Sequence, residues 1–253
     1  MKMTELEYAK RGLVGVLTPQ ANTTVEPEFS ILLPSGVAML NARMTSEKKI
    51  MEDRLIDYTN QIDETLKQFA NAPIQAAAFG CTGASYLIGS DKEAQICADI
   101  KKNRGFPFIT AARAVTDCLN VLKANKIGLV SPYPVNLTEV SVNYWENSGF
   151  KVAEVASAHN DSSDFHPIYS LRACSSSEAL YSLKEKDIDA IVMLGTGMPT
   201  LQPILDCRNW EGPPITSCML SLVWRTMLHI DGEEPSKDNM LTWSTGIEWK
   251  SRL

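Results

Sequence analysis

Short apolar runs alternate with amphipathic stretches along most of the chain. Residues 13–17 (LVGVL), closed by Thr18-Pro19, read as a buried strand, and 37–41 (VAMLN) as a second. Between positions 47 and 70, Ile50, Leu55, Ile56, Ile62, Leu66 and Phe69 recur at helical spacing on a polar background, which predicts one or two amphipathic helices. Residues 75–79 (QAAAF) form the next strand and run into Gly80-Cys81-Thr82-Gly83. A helix over 91–102, a short strand over 106–110 and a helix over 111–124 follow. The pattern then starts again. Residues 127–130 (IGLV) are a strand stopped by Ser131-Pro132, 135–148 a helix ended by Gly149, and 151–157 an alternating strand. Residues 178–186 read as helical, and 190–194 (AIVML) as a strand leading into Gly195-Thr196-Gly197. From 231 onward the chain reads as a polar, irregular tail.

Strands alternating with helices predict an α/β fold of parallel sheets flanked by helices. An internal repeat sharpens this. GVLTP at Gly15 matches GLVSP at Gly128, GCTG at Gly80 matches LGTG at Leu194, and Pro214-Ile215-Thr216 resembles Phe108-Ile109-Thr110, all in the same order. The chain therefore divides into two similar lobes related by a pseudo-two-fold: residues 1–124, carrying Cys81, and 125–253, carrying the Gly195-Thr196-Gly197 turn. The C-terminal segment is available to close the first lobe or a subunit interface. Ligands of open parallel sheets bind beyond the carboxyl ends of the strands. The turns at Thr18-Pro19, Gly80–Gly83, Ser131-Pro132 and Gly195–Gly197 would then face one another across a cleft.

Composition narrows the functional classes. The chain has 253 residues, 44% hydrophobic and 21% charged, enough apolar material for a real core. The net charge of −6 and the lack of a Lys/Arg run argue against nucleic-acid binding. No apolar run approaches the ~20 residues that span a bilayer. Residues 1–11 are polar and lack the apolar stretch of a secretory signal, so a cytoplasmic protein is expected. Six cysteines without a C-x-x-C pair read as reduced thiols, and three histidines remote from them predict no metal site.

Cys81 stands at a strand end before a glycine-containing turn and a helix start. Free backbone N–H groups and the helix dipole there would favour a thiolate, or would hold a substrate carboxylate. The other five cysteines read as structural. His159, after a predicted strand, either lines the cleft or stands in a solvated loop, and His166 before Pro167 reads as loop. Arg43 and Arg113 read as surface ion-pair residues, with a second carboxylate as the alternative partner. The five tryptophans read as core or interface.

The stretches GLVGVLTPQANTTVEPEF and FGCTGASYLIG, with GLVSPYPVNLTEVSVNYWENSGFKV and AIVMLGTGMPTL, resemble the motifs of bacterial maleate cis–trans isomerases. These are relatives of arylmalonate decarboxylases in the aspartate/glutamate racemase superfamily, and the resemblance runs from Arg11 to about His229. It implies a cofactor-free site between two lobes for a small mono- or dicarboxylate, in a protein that is commonly a dimer. It also implies two opposed cysteines. The first falls on Cys81, whereas the second position falls on Gly195; arylmalonate decarboxylase has the reverse arrangement.

By the same resemblance Asn22 and Thr23 bind carboxylate in the first lobe, and Tyr133 and Asn136 in the second. Thr82 and Thr196 offer hydroxyl and N–H donors, and Gly195 leaves room for a larger substrate. Helix capping by Asn22 and Thr23, aromatic packing by Tyr133 and simple turn chemistry for the two threonines are the structural alternatives. The favoured reading is an isomerase in which Cys81 adds to a double bond. Alternatives are a malonate-type decarboxylase with Cys81 as proton donor, a cysteine hydrolase, and a non-catalytic binder of small acids.

Overall fold

The computed structural model describes residues 4–160 and 167–253; His166 lies outside them. Two four-stranded, all-parallel sheets stand at its centre. The first comprises β1 (Gly12–Pro19), β2 (Val37–Met44), β3 (Ala76–Phe79) and β4 (Phe108–Thr110) in the order β2-β1-β3-β4. The second comprises β5 (Lys126–Ser131), β6 (Lys151–Ser157), β7 (Ala190–Met193) and β8 (Ile215–Ser217) in the order β6-β5-β7-β8. The expected α/β fold with two similar lobes is present, and the sequence repeat is a repeat of topology.

The central strands β1 and β3 are buried along their whole length because helices cover both faces, and so they read as continuous apolar runs. Gly15 and Gly128 hold matching places on β1 and β5. A Cβ at Gly15 would lie 2.7 Å from Phe69, and one at Gly128 2.6 Å from Ile188. In each lobe the covering layer rests directly on the backbone of the central strand, which only glycine allows.

The first lobe carries α1 (Val25–Leu32), α2 (Met51–Asn60), α3 (Ile62–Leu66), α4 (Thr82–Ile88), α5 (Ser90–Arg104) and α6 (Ala111–Leu122). The second carries α7 (Val135–Asn147), α8 (Ala173–Tyr181), α9 (Leu201–Asp206), α10 (Cys218–Asp231) and α11 (Lys237–Ser244). The last helix of each sheet crosses the seam. α6 packs against β7 and β8, α10 packs against β3, β4 and α1, and the two helices pack on each other. One apolar core therefore runs through both lobes, from Val14 and Phe29 to Ile191 and Trp224.

The one or two helices expected over 47–70 are two, and two other expectations change. The 47–70 region breaks into α2, α3 and a 3-10 turn at Lys67–Phe69, and Ala70, at φ 45°, ends it. The helix expected at 178–186 begins earlier, as α8, and gives way to i→i+3 turns at Leu183 and Lys184. The tail is not irregular: Ser236 and Asn239 form a reciprocal capping box that starts α11. The tail then buries Trp243 and Trp249, whose indole N–H groups donate to Leu220 O (3.1 Å) and Trp243 O (2.9 Å). Among the described residues no helix is long and apolar enough to cross a membrane.

Candidate active site

A strand order of 2-1-3-4 reverses direction between its first and third strands, and the crevice opens at the carboxyl ends of that pair. Both crevices open into the same pocket, of about 540 Å³ with its mouth included. Pro19 ends β1 and Ala21 follows it, and Cys81, Thr82 and Gly83 follow β3. From the second lobe come Tyr133 and Leu137 after β5, and Gly195, Thr196 and Gly197 after β7. Met51, Arg54, Leu55 and Tyr58 of α2 close one wall, with Ile168 and Tyr169 beside them.

Hydrogen bonds between the lobes fix these turns. Thr196 Oγ1 donates to Gly80 O (2.7 Å), and Thr24 Oγ1 donates to Gly197 O (2.9 Å). Glu28 of α1 accepts from the backbone N–H of Thr200 (2.8 Å). The opposed strand ends are thus held at short range before any ligand arrives.

Cys81 is the N-cap of α4 and is 4% exposed. Burial pushes its thiol up to about 12, outweighing the opposing hydrogen bond from the Ala84 N–H. This corrects the expected thiolate: in a dry site, loss of hydration costs the anion more than one N–H returns. Next to it, the first-turn N–H groups of Thr82 and Gly83 have no intrahelical acceptor, so the thiol stands beside donors suited to an anion. The Tyr133 phenol is also buried and held well above its ordinary value, chiefly by desolvation.

Gly195 has φ +83°, the left-handed region that disfavours side chains. A Cβ there would lie 2.9 Å from Pro132 Cγ and 3.3 Å from the Tyr133 hydroxyl. The phenol of Tyr133 therefore occupies the space into which a side chain at 195 would project.

Of the residues singled out from sequence, Cys81, Thr82, Tyr133, Gly195 and Thr196 line the pocket. The side chains of four others are engaged elsewhere. Asn22 Oδ1 accepts from Thr24 N (2.8 Å) and Val25 N (3.0 Å) at the start of α1, while its Nδ2 donates to Thr196 O (3.3 Å). Thr23 Oγ1 donates to Tyr169 O (3.2 Å), and Asn136 Nδ2 to Glu52 Oε1 (2.6 Å). His159 Nδ1 lies 3.0 Å from Pro132 O. Arg43 pairs with Glu26, as a surface ion pair should.

Sequence reasoning missed Arg54, Tyr58, Ile168 and Tyr169. Only the helical spacing of Leu55 hinted that α2 faces inward. Arg54 carries the only full charge among the described lining residues. Its guanidinium donates to Lys48 O and Lys49 O (both 3.2 Å) and has no ion pair among the described residues.

Comparison with known proteins places this geometry. A family model described as arylmalonate decarboxylase matches residues 14–240. The maleate isomerase of Pseudomonas putida is 29% identical over 153 residues, 56% of this chain and 61% of that enzyme's length. The maleate isomerase of Geobacillus stearothermophilus is 25% identical over 250 residues, 92% of this chain and 98% of the other. The structure also matches that of a mutant Nocardia farcinica maleate cis-trans isomerase with a covalently bound succinylcysteine intermediate. That match has a TM-score of 0.76 at 19% identity and covers 91% of this chain and 98% of the other. With the family match spanning both lobes and both turns of the pocket, the chain belongs to the arylmalonate decarboxylase family.

Proposed function

We propose that the protein is a cofactor-independent cis–trans isomerase of a small unsaturated carboxylate of the maleate type. The observation that carries this reading is the position of Cys81 in the pocket, at the start of α4 beside Thr82 and Gly83 and with the Gly195–Gly197 turn lining the same pocket. Carboxylate oxygens of the substrate accept from the first-turn N–H groups of α4. The Cys81 thiolate adds to one carbon of the double bond, and the electron pair moves to its neighbour, which takes a proton. Rotation about the new single bond and elimination of the sulfur give the trans acid. Relatives with this activity, and the succinylcysteine described for the Nocardia enzyme, support the reading. Asn22, Thr23, Asn136 and His159 serve this site as its supports rather than as direct ligands, because their side chains are committed to backbone and Glu52 partners. The reading also takes the protein as a cytoplasmic homo-oligomer, a dimer, which light scattering coupled to size exclusion tests.

A second reading has a specific observation in its favour. A buried thiol that stays protonated, opposite a glycine, is suited to protonating an enediolate after decarboxylation of a malonate-type acid. Proton NMR in deuterated buffer with maleate and with phenylmalonate, beside Cys81→Ala, separates the two. Fumarate formed only with Cys81 intact is the expected result. A singly deuterated monoacid instead replaces isomerase with decarboxylase. Turnover of maleate by Cys81→Ala refutes both roles for the thiol.

A further inference from the structure

Cys218 reads from sequence as one of the structural cysteines, yet the fold carries it behind Thr82 and Gly195, which line the pocket. It follows β8 and opens α10, the helix that crosses from the second sheet to the first. It is fully buried. The polar groups that face its sulfur are the Thr82 hydroxyl, the Tyr86 hydroxyl and the backbone N–H of Gly195. Thr82 also faces the Tyr133 phenol, which stands close to both Cys218 and Cys81. Tyr86 and Tyr133 meet edge to face, with ring centroids 6.1 Å apart.

An independent observation makes this cluster more than packing. Thr82 Oγ1 and Tyr86 Oη are buried and complete no regular hydrogen bond, although Thr82 lines the pocket. Buried hydroxyls without partners are costly, so two of them around one thiol are groups left available to take up a hydrogen bond when a ligand or a proton reaches them. The sequence places a glycine where the second lobe's cysteine is expected. The structure places a thiol against the backbone N–H of that same glycine.

We propose that Cys218 is the second proton-handling thiol of this site, coupled to the pocket through Thr82 and Tyr133. The proposal rests on the isomerase reading above. The step begins from the Cys81 thiolate. As the sulfur–carbon bond forms, the neighbouring carbon takes the Tyr133 proton, Tyr133 takes that of Thr82, and Thr82 takes the thiol proton of Cys218. The negative charge that leaves the Cys81 sulfur ends on the Cys218 sulfur, where the Gly195 N–H and the start of α10 receive it. Elimination runs the chain backwards, so no proton is gained or lost over a turnover. Cys218 does not line the pocket and acts through Thr82 and Tyr133 as a positioning and relay residue.

The test is maleate turnover by the full chain and by Cys218→Ala, Cys218→Ser, Thr82→Val and the Cys218→Ala/Thr82→Val double variant. Cys218→Ala should lower kcat about 100-fold with KM within about threefold, the scale of a lost acid–base group. Cys218→Ser keeps the volume and guards against a misfolded alanine variant. Its hydroxyl is a far weaker acid, so it should not restore kcat and should raise the solvent deuterium isotope effect. Thr82→Val should match Cys218→Ala, and the double variant should fall no further, because both break one chain. Wild-type kcat and an unchanged pH–rate profile in either Cys218 variant overturn the proposal, as do losses that multiply in the double variant. Wild-type protein inert toward maleate fails the isomerase reading itself, and the relay with it.

Discussion

Glu28 ties the stability of this protein to pH. It sits on α1, 4% exposed, and reaches across the seam to Thr200 at the start of α9. Its oxygens accept from the Thr200 N–H at 2.8 Å and the Thr200 hydroxyl at 3.4 Å. Burial pushes its carboxyl from 4.5 to about 7, against these hydrogen bonds and one from the Leu201 N–H. The folded state therefore holds the proton over a window in which the unfolded chain has released it. Where the folded state binds more protons, stability falls as pH rises. The contribution is full below the unfolded value of 4.5 and is lost as pH rises through about 7. At about 1.4 kcal/mol per pH unit, the loss between pH 5 and 8 comes to about 3 kcal/mol.

Glu28→Gln keeps the volume and one oxygen for the Thr200 N–H, and it cannot ionise. The assay is urea unfolding of both proteins at pH 5, 6, 7 and 8. The wild type should lose about 3 kcal/mol relative to Glu28→Gln across that range. Any cost of turning an amide N–H₂ toward Leu201 is the same at every pH and leaves the slope alone. A difference between the two proteins that stays constant within about 0.5 kcal/mol would refute the reasoning.

Four further outcomes follow from the site. Isomerisation through the Cys81 thiolate should speed up about tenfold per pH unit across neutral pH, because burial sets the thiol at about 12; a flat pH–rate profile would mark the thiol as a proton donor instead. Gly195→Cys should not install a second working thiol. The left-handed backbone and the contacts with Pro132 and Tyr133 should cost about 1–2 kcal/mol in denaturant unfolding and lower kcat by displacing the phenol. Arg54→Gln should raise KM for a dicarboxylate about tenfold and leave that of a monocarboxylate analogue nearly unchanged, as steady-state kinetics would show. Trp249→Ala should lower stability by about 3–5 kcal/mol in urea unfolding, because the indole is fully buried and its N–H is hydrogen-bonded.

Much of the architecture was legible along the chain. Strands buried on both faces write themselves as apolar runs, so β1, β3, β5 and β7 were readable from LVGVL, AAAF, IGLV and AIVM. The repeat of GVLTP and GLVSP carried the two-lobe topology, because each lobe needs a glycine under a covering side chain, Phe69 in the first and Ile188 in the second. Cys81 and its turn were readable for a similar local reason: a strand end, a small-residue turn and a helix start follow one another in sequence.

The rest depended on contacts between segments remote in the chain. Asn22, Thr23 and Asn136 carry the right polar atoms, yet those atoms bond to Thr196, Tyr169 and Glu52 once the lobes meet, and His159 bonds to Pro132 within the second lobe. Arg54 and Tyr58 look like any polar face of an amphipathic helix until α2 is laid over the pocket mouth. Local sequence reports backbone N–H groups and helix starts, which favour a thiolate at Cys81. It does not report desolvation, which depends on the packing of segments remote in the chain, Leu17, Tyr58 and Phe79 among them, into one apolar cluster with the sulfur. Cys218 belongs here too, since nothing near it in sequence points to Thr82, Tyr86 or Gly195. The sequence by itself determined the strands, the repeat and the turn that carries Cys81, because hydrophobic period and turn chemistry are local. Only the tertiary structure decided which polar side chains are engaged between remote segments and which thiols are buried, because those depend on contacts that no local stretch of sequence reports.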